Sequence, residues 1–121
     1  MIQGIVMDAN PTEHNKELVR RQADAINARD LEFLAETTSQ DFVRHCQATP
    51  GLEITNLQGF GEFLQADWAS FPDSVLTISQ LVAEDDRVAM WATYEATQTG
   101  PMGPFPAGGK KMSLDIAGIF R

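Results

Sequence analysis

The chain has 121 residues, of which 43% are hydrophobic, and carries a formal net charge of −8. This length suits one domain with a core of its own, so we expect residues 1–121 to form a single domain. The acidic balance argues against DNA, RNA and anionic membrane surfaces as partners, and no apolar run approaches the roughly 20 residues of a membrane span.

The first third of the chain predicts two helices. Residues 1–11 are ambiguous, because their few apolar side chains fit either a short strand or loose packing over the core. Thr12 is a candidate N-cap of the first helix, which should run to about Arg29. Asp30 is the candidate cap of a second, shorter helix. The apolar stripe of the first helix consists of Leu18, Val19, Ala23 and Ile26.

A third helix is predicted after a short strand. Residues 42–46 favour the strand, and Pro50 and Gly51 favour a turn. Asn56 is the candidate cap of the third helix, and Pro72 ends it. The apolar stripe of this helix consists of Leu57, Phe60, Phe63, Leu64, Trp68 and Phe71.

The rest of the chain predicts an antiparallel sheet. In residues 74–83 the side chains of the two strand faces alternate, which predicts a strand. Residues 84–86 are predicted to form a charged hairpin turn, and residues 88–97 and 110–121 the next strands. Helices followed by strands indicate an α+β fold. Neither face of the strand 88–97 is plainly polar, so we expect helices on one face and a partner subunit, in a homodimer, on the other. The expected core face of the first strand is Leu76, Ile78, Gln80 and Val82. The second strand has one face of Val88, Met90, Ala92, Tyr94 and Ala96 and another of Ala89, Trp91, Thr93, Glu95 and Thr97.

The loop of residues 100–109 is long for a hairpin connection and has no charged side chain. Its prolines stiffen it, and Met102 and Phe105 give it apolar side chains. Two interpretations are open. The loop is either a flap over the mouth of a pocket or an ordered crossover that plugs the end of the sheet.

Seven short pieces of the sequence, in their order and spacing, resemble the SnoaL-like polyketide cyclase group (ester cyclase-like) of the nuclear transport factor 2-like superfamily. They are residues 15–21, 27–31, 41–45, 71–73, 86–91, 97–100 and 109–111. The resemblance implies a cone, in which a curved antiparallel sheet wraps around about three N-terminal helices, and a homodimer through the outer face of the sheet. It also implies a cavity for a small apolar molecule, where a carboxylate moves protons next to a carbonyl without a cofactor.

The chain departs from the family pattern at three places. Family members often have His where this chain has Gln98, and Asp where it has Gly118. Asp115 cannot simply replace that acid, since strand parity places Asp115 and Gly118 on opposite faces unless a bulge intervenes. The family usually continues past Arg121 into a final strand, which is apparently absent from this sequence.

Asp115 and His45 are the candidate catalytic residues. Asp115 lies in an otherwise apolar strand, and a buried carboxylate there would act as a general base or acid. The alternative is a carboxylate at a dimer surface, paired with Lys or Arg. His45 ends the predicted short strand, where it could shuttle a proton or simply be a half-buried histidine satisfied by the backbone.

Six residues are candidates for binding the substrate. Tyr94 could hydrogen-bond an oxyanion, although ordinary core packing is the alternative. Gln98 could bind a ligand but cannot transfer protons near neutral pH. The four remaining candidates are the large aromatic residues Trp68, Trp91, Phe71 and Phe105.

No metal or other cofactor is expected. His45 and Cys46 are adjacent, His14 is distant in sequence, and a single cysteine excludes an intrachain disulfide. The first residues have no basic region that would make them a signal peptide, so a cytoplasmic protein is expected.

The leading hypothesis is therefore a SnoaL-like enzyme or binder that performs cofactor-free proton transfer on an apolar carbonyl compound. The alternative is a non-catalytic ligand-binding or dimerisation module of the same fold. An epoxide hydrolase is a weaker third hypothesis, because the sequence shows no Asp-Arg-Asp set for a pocket.

Overall fold

The computed structural model describes residues 11–121, so most of the ambiguous segment 1–11 lies outside the described residues. Three helices precede an antiparallel sheet of three strands, which confirms the expected α+β fold. None of the helices in residues 11–121 is long and apolar enough to cross a membrane. The elements are α1 (Pro11–Ala28), α2 (Leu31–Thr37), α3 (Leu57–Ser70), β1 (Val75–Glu84), β2 (Arg87–Thr97) and β3 (Lys111–Phe120).

The helix boundaries follow from local signals. The helix α1 spans Pro11–Ala28, so Thr12 lies inside the helix and the prediction that it is the N-cap is wrong. Asp30 caps α2 by accepting a hydrogen bond from the Phe33 N–H at 3.0 Å, and Asn56 caps α3 by accepting one from the Gly59 N–H at 2.7 Å. Both predicted caps are confirmed.

The strand predicted at residues 42–46 is wrong. The segment makes one isolated bridge, in which the Arg44 N–H donates to the Ile54 carbonyl at 2.9 Å. A strand needs a continuous partner for its backbone groups, and this β-prone segment has none within the described residues beyond that bridge.

The sheet has the strand order β1-β2-β3, and the two-residue turn Asp85-Asp86 joins β1 to β2. A bulge between Ile78 and Gln80 breaks the register of β1 against β2. The extra residue reverses which side chains face inward beyond it. The predicted core positions Gln80 and Val82 are therefore wrong, because both are exposed and Leu81 packs inward instead.

Two hydrophobic clusters stabilise the molecule. The first lies among the helices and joins Ala25 of α1 to the buried side chains of α2 and α3 and to Ile54. The second lies between Val19 of α1 and the inner face of the sheet, where Val88, Met90 and Ala92 are buried. The helix α1 contributes to both clusters and so fixes α3 relative to the strands.

Candidate functional site

A tyrosine and an aspartate meet between the sheet and the third helix. Tyr94 lies on the inner face of β2, and Asp67 lies in the last turn of α3. The Tyr94 hydroxyl donates a hydrogen bond to Asp67 Oδ2 at 2.8 Å. The buried ring of Phe71 packs edge-on against the Tyr94 ring, with 6.2 Å between the centroids. The rotamer of Tyr94 is thus held from two sides.

The environment moves the pKa values of both groups upward. Burial raises the pKa of Asp67 above 3.8, and it outweighs the hydrogen bond from Tyr94 and the charges of Arg29 and Arg44, which lower it. Burial also raises the pKa of Tyr94, and the Asp67 acceptor and its charge add to that effect. Tyr94 therefore keeps its proton, and Asp67 is the member of the pair that changes protonation state.

Arg29 fixes the end of α3 against the start of the sheet. Its guanidinium donates to the Pro72 carbonyl at 2.8 Å and to the Ser74 carbonyl at 3.0 Å. The same group lies 5.6 Å from the centroid of the Trp68 ring. Arg29 has a positive φ of 58°, which ends α1 and turns the side chain towards these partners.

Trp68 leaves a donor without a protein acceptor. Its indole Nε1 is buried and has no hydrogen-bond partner in the part of the chain that the structure describes. Buried polar groups are nearly always paired, so this N–H is a donor left for water or for a ligand. The prediction that Trp68 contacts a ligand stays a prediction.

A second arginine covers α3 one turn before Asp67. The Arg44 guanidinium carbon lies 4.6 Å from the centroid of the Phe63 ring. Phe63 and Asp67 are four residues apart on α3 and therefore share one face of that helix. Arg44 thus places a positive charge near the Tyr94–Asp67 pair.

The Gln98 side chain hydrogen-bonds to the backbone of the long loop, residues 100–109. Its side-chain nitrogen donates to the Gly100 carbonyl at 3.1 Å and to the Pro106 carbonyl at 3.3 Å. The loop begins against α3, where the Ser70 hydroxyl donates to the Pro101 carbonyl at 2.7 Å. Gly100 is needed at this approach, since a Cβ there would lie 2.6 Å from the Ala69 carbonyl oxygen. The Gln98 amide is therefore occupied by its own loop.

The structure places Asp115 on the outer face of the sheet. Asp115 is exposed and accepts a hydrogen bond from the Thr93 hydroxyl at 3.0 Å. Gly118 pairs with Met90 and lies on the inner face, so the parity argument that separates Asp115 from Gly118 is confirmed. Asp115 is thus a surface carboxylate, and its partner is Thr93 rather than the Lys or Arg of the alternative interpretation.

The other predicted site residues do not gather around Tyr94. His45 is exposed and lines a groove of about 520 Å³ formed by residues 43–47 and 49–55. Trp91 is 50% exposed and lies beside Ile119 in a depression of about 530 Å³ on the outer face of the sheet. Phe105 is 61% exposed near the tip of the loop. Of the predicted set, Tyr94 bonds to Asp67 and Phe71 packs on the Tyr94 ring, whereas Trp68 contacts Arg29 and the cluster among the helices.

The sequence analysis missed Asp67 and Arg44. Asp67 stands beside Trp68 in a helix whose apolar stripe dominates the pattern, so it resembles a solvated charge. A usable signal existed, because Asp67 follows Phe63 by four residues and therefore borders the apolar face. Its contact with Tyr94 depends on tertiary packing and has no local sequence signal.

Comparisons with known proteins agree on the fold. The family model of SnoaL-like polyketide cyclases matches residues 16–121. AclR, a candidate hydroxylase from Streptomyces galilaeus, is 24% identical with a TM-score of 0.76, over 91% of this chain and 80% of that one. A candidate SnoaL-like polyketide cyclase from Jannaschia sp. CCS1 is 19% identical with a TM-score of 0.80, over 90% of this chain and 76% of that one.

IdmH, a candidate polyketide cyclase from Streptomyces antibioticus, is 23% identical with a TM-score of 0.73, over 88% of this chain and 81% of that one. No curated protein matches the chain. At these identities the solved structures establish the shared fold, and the residues around Asp67 must be argued from their own geometry.

Proposed function

Because the chain belongs to the SnoaL-like polyketide cyclase family, we propose that it acts on a small, apolar carbonyl compound by cofactor-free proton transfer. The observation that carries this proposal is the half-buried Tyr94–Asp67 hydrogen bond of 2.8 Å. It joins a carboxyl group with a raised pKa to a hydroxyl that keeps its proton. General bases and acids in enzymes are tuned in this way.

Asp67 is the proposed base. One carboxylate oxygen, Oδ2, accepts the Tyr94 hydroxyl, so Oδ1 is the oxygen that takes a proton from the carbon next to the substrate carbonyl. The electron pair of that C–H bond moves onto the carbonyl oxygen and gives an enolate. The protonated Asp67 then returns its proton to a carbon of the product, so the step balances without an oxidant or a metal.

Tyr94 is the proposed donor to the enolate oxygen. Rotation about its Cζ–O bond re-aims the hydroxyl proton from Asp67 towards a substrate oxygen without moving the ring, which Phe71 holds in place. Donation to an oxygen where negative charge develops is a main source of rate enhancement in such sites. When the Tyr94 hydroxyl turns away, the Asp67 carboxylate loses a hydrogen bond and becomes more basic. This happens at the step in which Asp67 must accept a proton.

The test is exchange of the α-proton for deuterium in a panel of small aryl ketones, followed by NMR. We expect Asp67→Asn to slow the exchange by roughly 10²–10⁴-fold, the usual contribution of a positioned base. The wild-type rate should rise with pH through an apparent pKa above 3.8, since the ionised carboxylate is the active form.

Asp115→Asn and His45→Ala decide between this assignment and the two bases predicted from the sequence. Exchange that is lost in either of these variants and kept in Asp67→Asn would contradict the role of Asp67. Both residues are exposed, so the two variants should fold as the wild type does.

A non-catalytic binding or dimerisation module is the second candidate. It is favoured by Gly118, which puts no acid on the inner face where family members often have one. It is also favoured by the apolar outer face of the sheet, where Val82 is 56%, Trp91 50% and Ile119 75% exposed. Monomers rarely expose such side chains side by side, which supports the proposal of a homodimer through this face.

A further inference from the structure

Arg44 is a half-buried cation that forms no ion pair with a carboxylate of residues 11–121. Its backbone is fixed by the bond to Ile54, and its guanidinium stacks on Phe63. Within residues 11–121 no carboxylate lies within ion-pair distance of Arg44, and its guanidinium makes no hydrogen bond. Arg29, by contrast, directs its guanidinium donors to Pro72 and Ser74.

The position of Arg44 relates it to the proposed catalytic pair. It covers Phe63, and residues four apart on a helix have Cβ atoms about 5–6 Å apart. Asp67 is four residues after Phe63, and the charge of Arg44 lowers the pKa of Asp67 against the effect of burial. The Arg44 guanidinium therefore covers a ring whose residue lies one helical turn before Asp67.

The chemistry of this arrangement favours an anion. A guanidinium stacked on an aromatic ring keeps its N–H donors in the plane of the group, where they match the two oxygens of a carboxylate. The whole chain carries a net charge of −8, so an unpaired cation is not part of a general basic surface. The groove beside Arg44 also has apolar walls, including Leu52 and Ile54.

We propose that Arg44 binds a carboxylate of the substrate, so that the ligand is a keto acid rather than a neutral ketone. Its carbonyl would lie at Tyr94 and Asp67, and its carboxylate at Arg44, which covers the Phe63 ring one helical turn before Asp67. This inference rests on the proposed function and deepens it by naming the charge class of the substrate.

The experiment compares a phenyl δ-keto acid with its methyl ester by isothermal titration calorimetry on the full wild-type chain. The pair differs in charge and little else. We expect the acid to bind roughly tenfold or more tightly, the usual gain from a charge-assisted hydrogen bond. The preference should shrink at high salt, because screening weakens an exposed or half-exposed ion pair.

Variants test whether Arg44 causes the preference for the acid over its methyl ester. Arg44→Gln should abolish it, and Arg44→Lys should retain part of it, since an ammonium supplies charge without the planar fork. Arg20→Gln is the matched control, because Arg20 is an exposed arginine of α1 that pairs with Glu17 at 3.6 Å. This control changes the net charge equally and should leave the preference intact.

Equal affinity for acid and ester, binding of neither, or a preference that survives in Arg44→Gln would overturn the assignment. If Arg44→Gln does not fold, the comparison on the wild type and on Arg44→Lys still decides. Exchange of the ester protons that depends on Asp67, without any preference for the acid, would leave the proposed function standing and remove this inference. If binding of the acid depends on Arg44 while exchange is unchanged in Asp67→Asn, the role of Arg44 would stand and the proposed function of Asp67 would be contradicted.

Discussion

Two neighbouring residues of β2 make the same kind of contact on opposite faces of the sheet. Tyr94 donates to Asp67 at 2.8 Å on the inner face, and Thr93 donates to Asp115 at 3.0 Å on the outer face. The inner pair is half-buried beside Phe71, whereas the Asp115 carboxylate is exposed. Burial raises the pKa of Asp67, so the surroundings of a hydroxyl–carboxylate pair, and not the pairing itself, create a group suited to proton transfer.

The largest expected contrast between the two faces is in stability. Met90→Ala removes an inner side chain that is 8% exposed, and we expect a loss of about 2–5 kcal/mol in the free energy of unfolding. Trp91→Ala removes an outer side chain that is half exposed, and about 1 kcal/mol is expected in a monomer. Urea denaturation measures both.

Urea denaturation of the same two variants can also contradict the expected difference between the inner and outer faces. A cost for Trp91→Ala as large as that for Met90→Ala would mean that the outer face is buried in solution. The homodimer proposed through this face would then account for it, and the cost would depend on protein concentration.

A smaller contrast is expected for the two hydroxyl donors. Tyr94→Phe leaves the half-buried Asp67 carboxylate without its donor and should cost about 1 kcal/mol at pH 7. Thr93→Val removes the donor to an exposed carboxylate and should change stability by less than about 0.5 kcal/mol. If chemical denaturation shows equal losses in the free energy of unfolding for Tyr94→Phe and Thr93→Val, burial does not make the Tyr94–Asp67 hydrogen bond more stabilising than the exposed one.

The smallest expected effect is a pH-dependent one. Because the pKa of Asp67 is higher in the folded chain than the 3.8 of an ordinary carboxyl, the folded state binds more protons just above pH 3.8. Its stability therefore falls as the pH rises through that window. Asp67→Asn should remove this fall, so its stability relative to the wild type should improve between pH 4 and pH 7. A relative stability that stays flat in paired denaturation curves would oppose the raised pKa.

Local signals in the sequence predicted most of the fold. Asp30 and Asn56 cap their helices through their own neighbours, and the alternation of β2 depends on parity alone, so both could be predicted. The bulge after Ile78 and the lack of a strand at residues 42–46 depend on what pairs with those segments. Such long-range pairing has no local pattern.

The site was harder to predict for the same reason. Tyr94 was predicted because its hydroxyl could hydrogen-bond an oxyanion, but its partner Asp67 is 27 residues away in sequence. Asp115 was predicted because it is an acid in an apolar strand. The structure shows that some apolar residues of this strand, such as Ile119, lie on an exposed outer face. A count of apolar neighbours in sequence cannot separate a core from an uncovered face.

The pKa of Asp67 is the most direct test of the account. Carboxyl-carbon NMR of the wild-type chain, with Asp67→Asn to assign the resonance, measures it without a substrate. We expect a titration midpoint above 3.8 that moves higher still in Tyr94→Phe, because the hydrogen bond from Tyr94 lowers the pKa of Asp67. A midpoint at or below 3.8 would contradict the claim that burial prepares Asp67 for proton transfer.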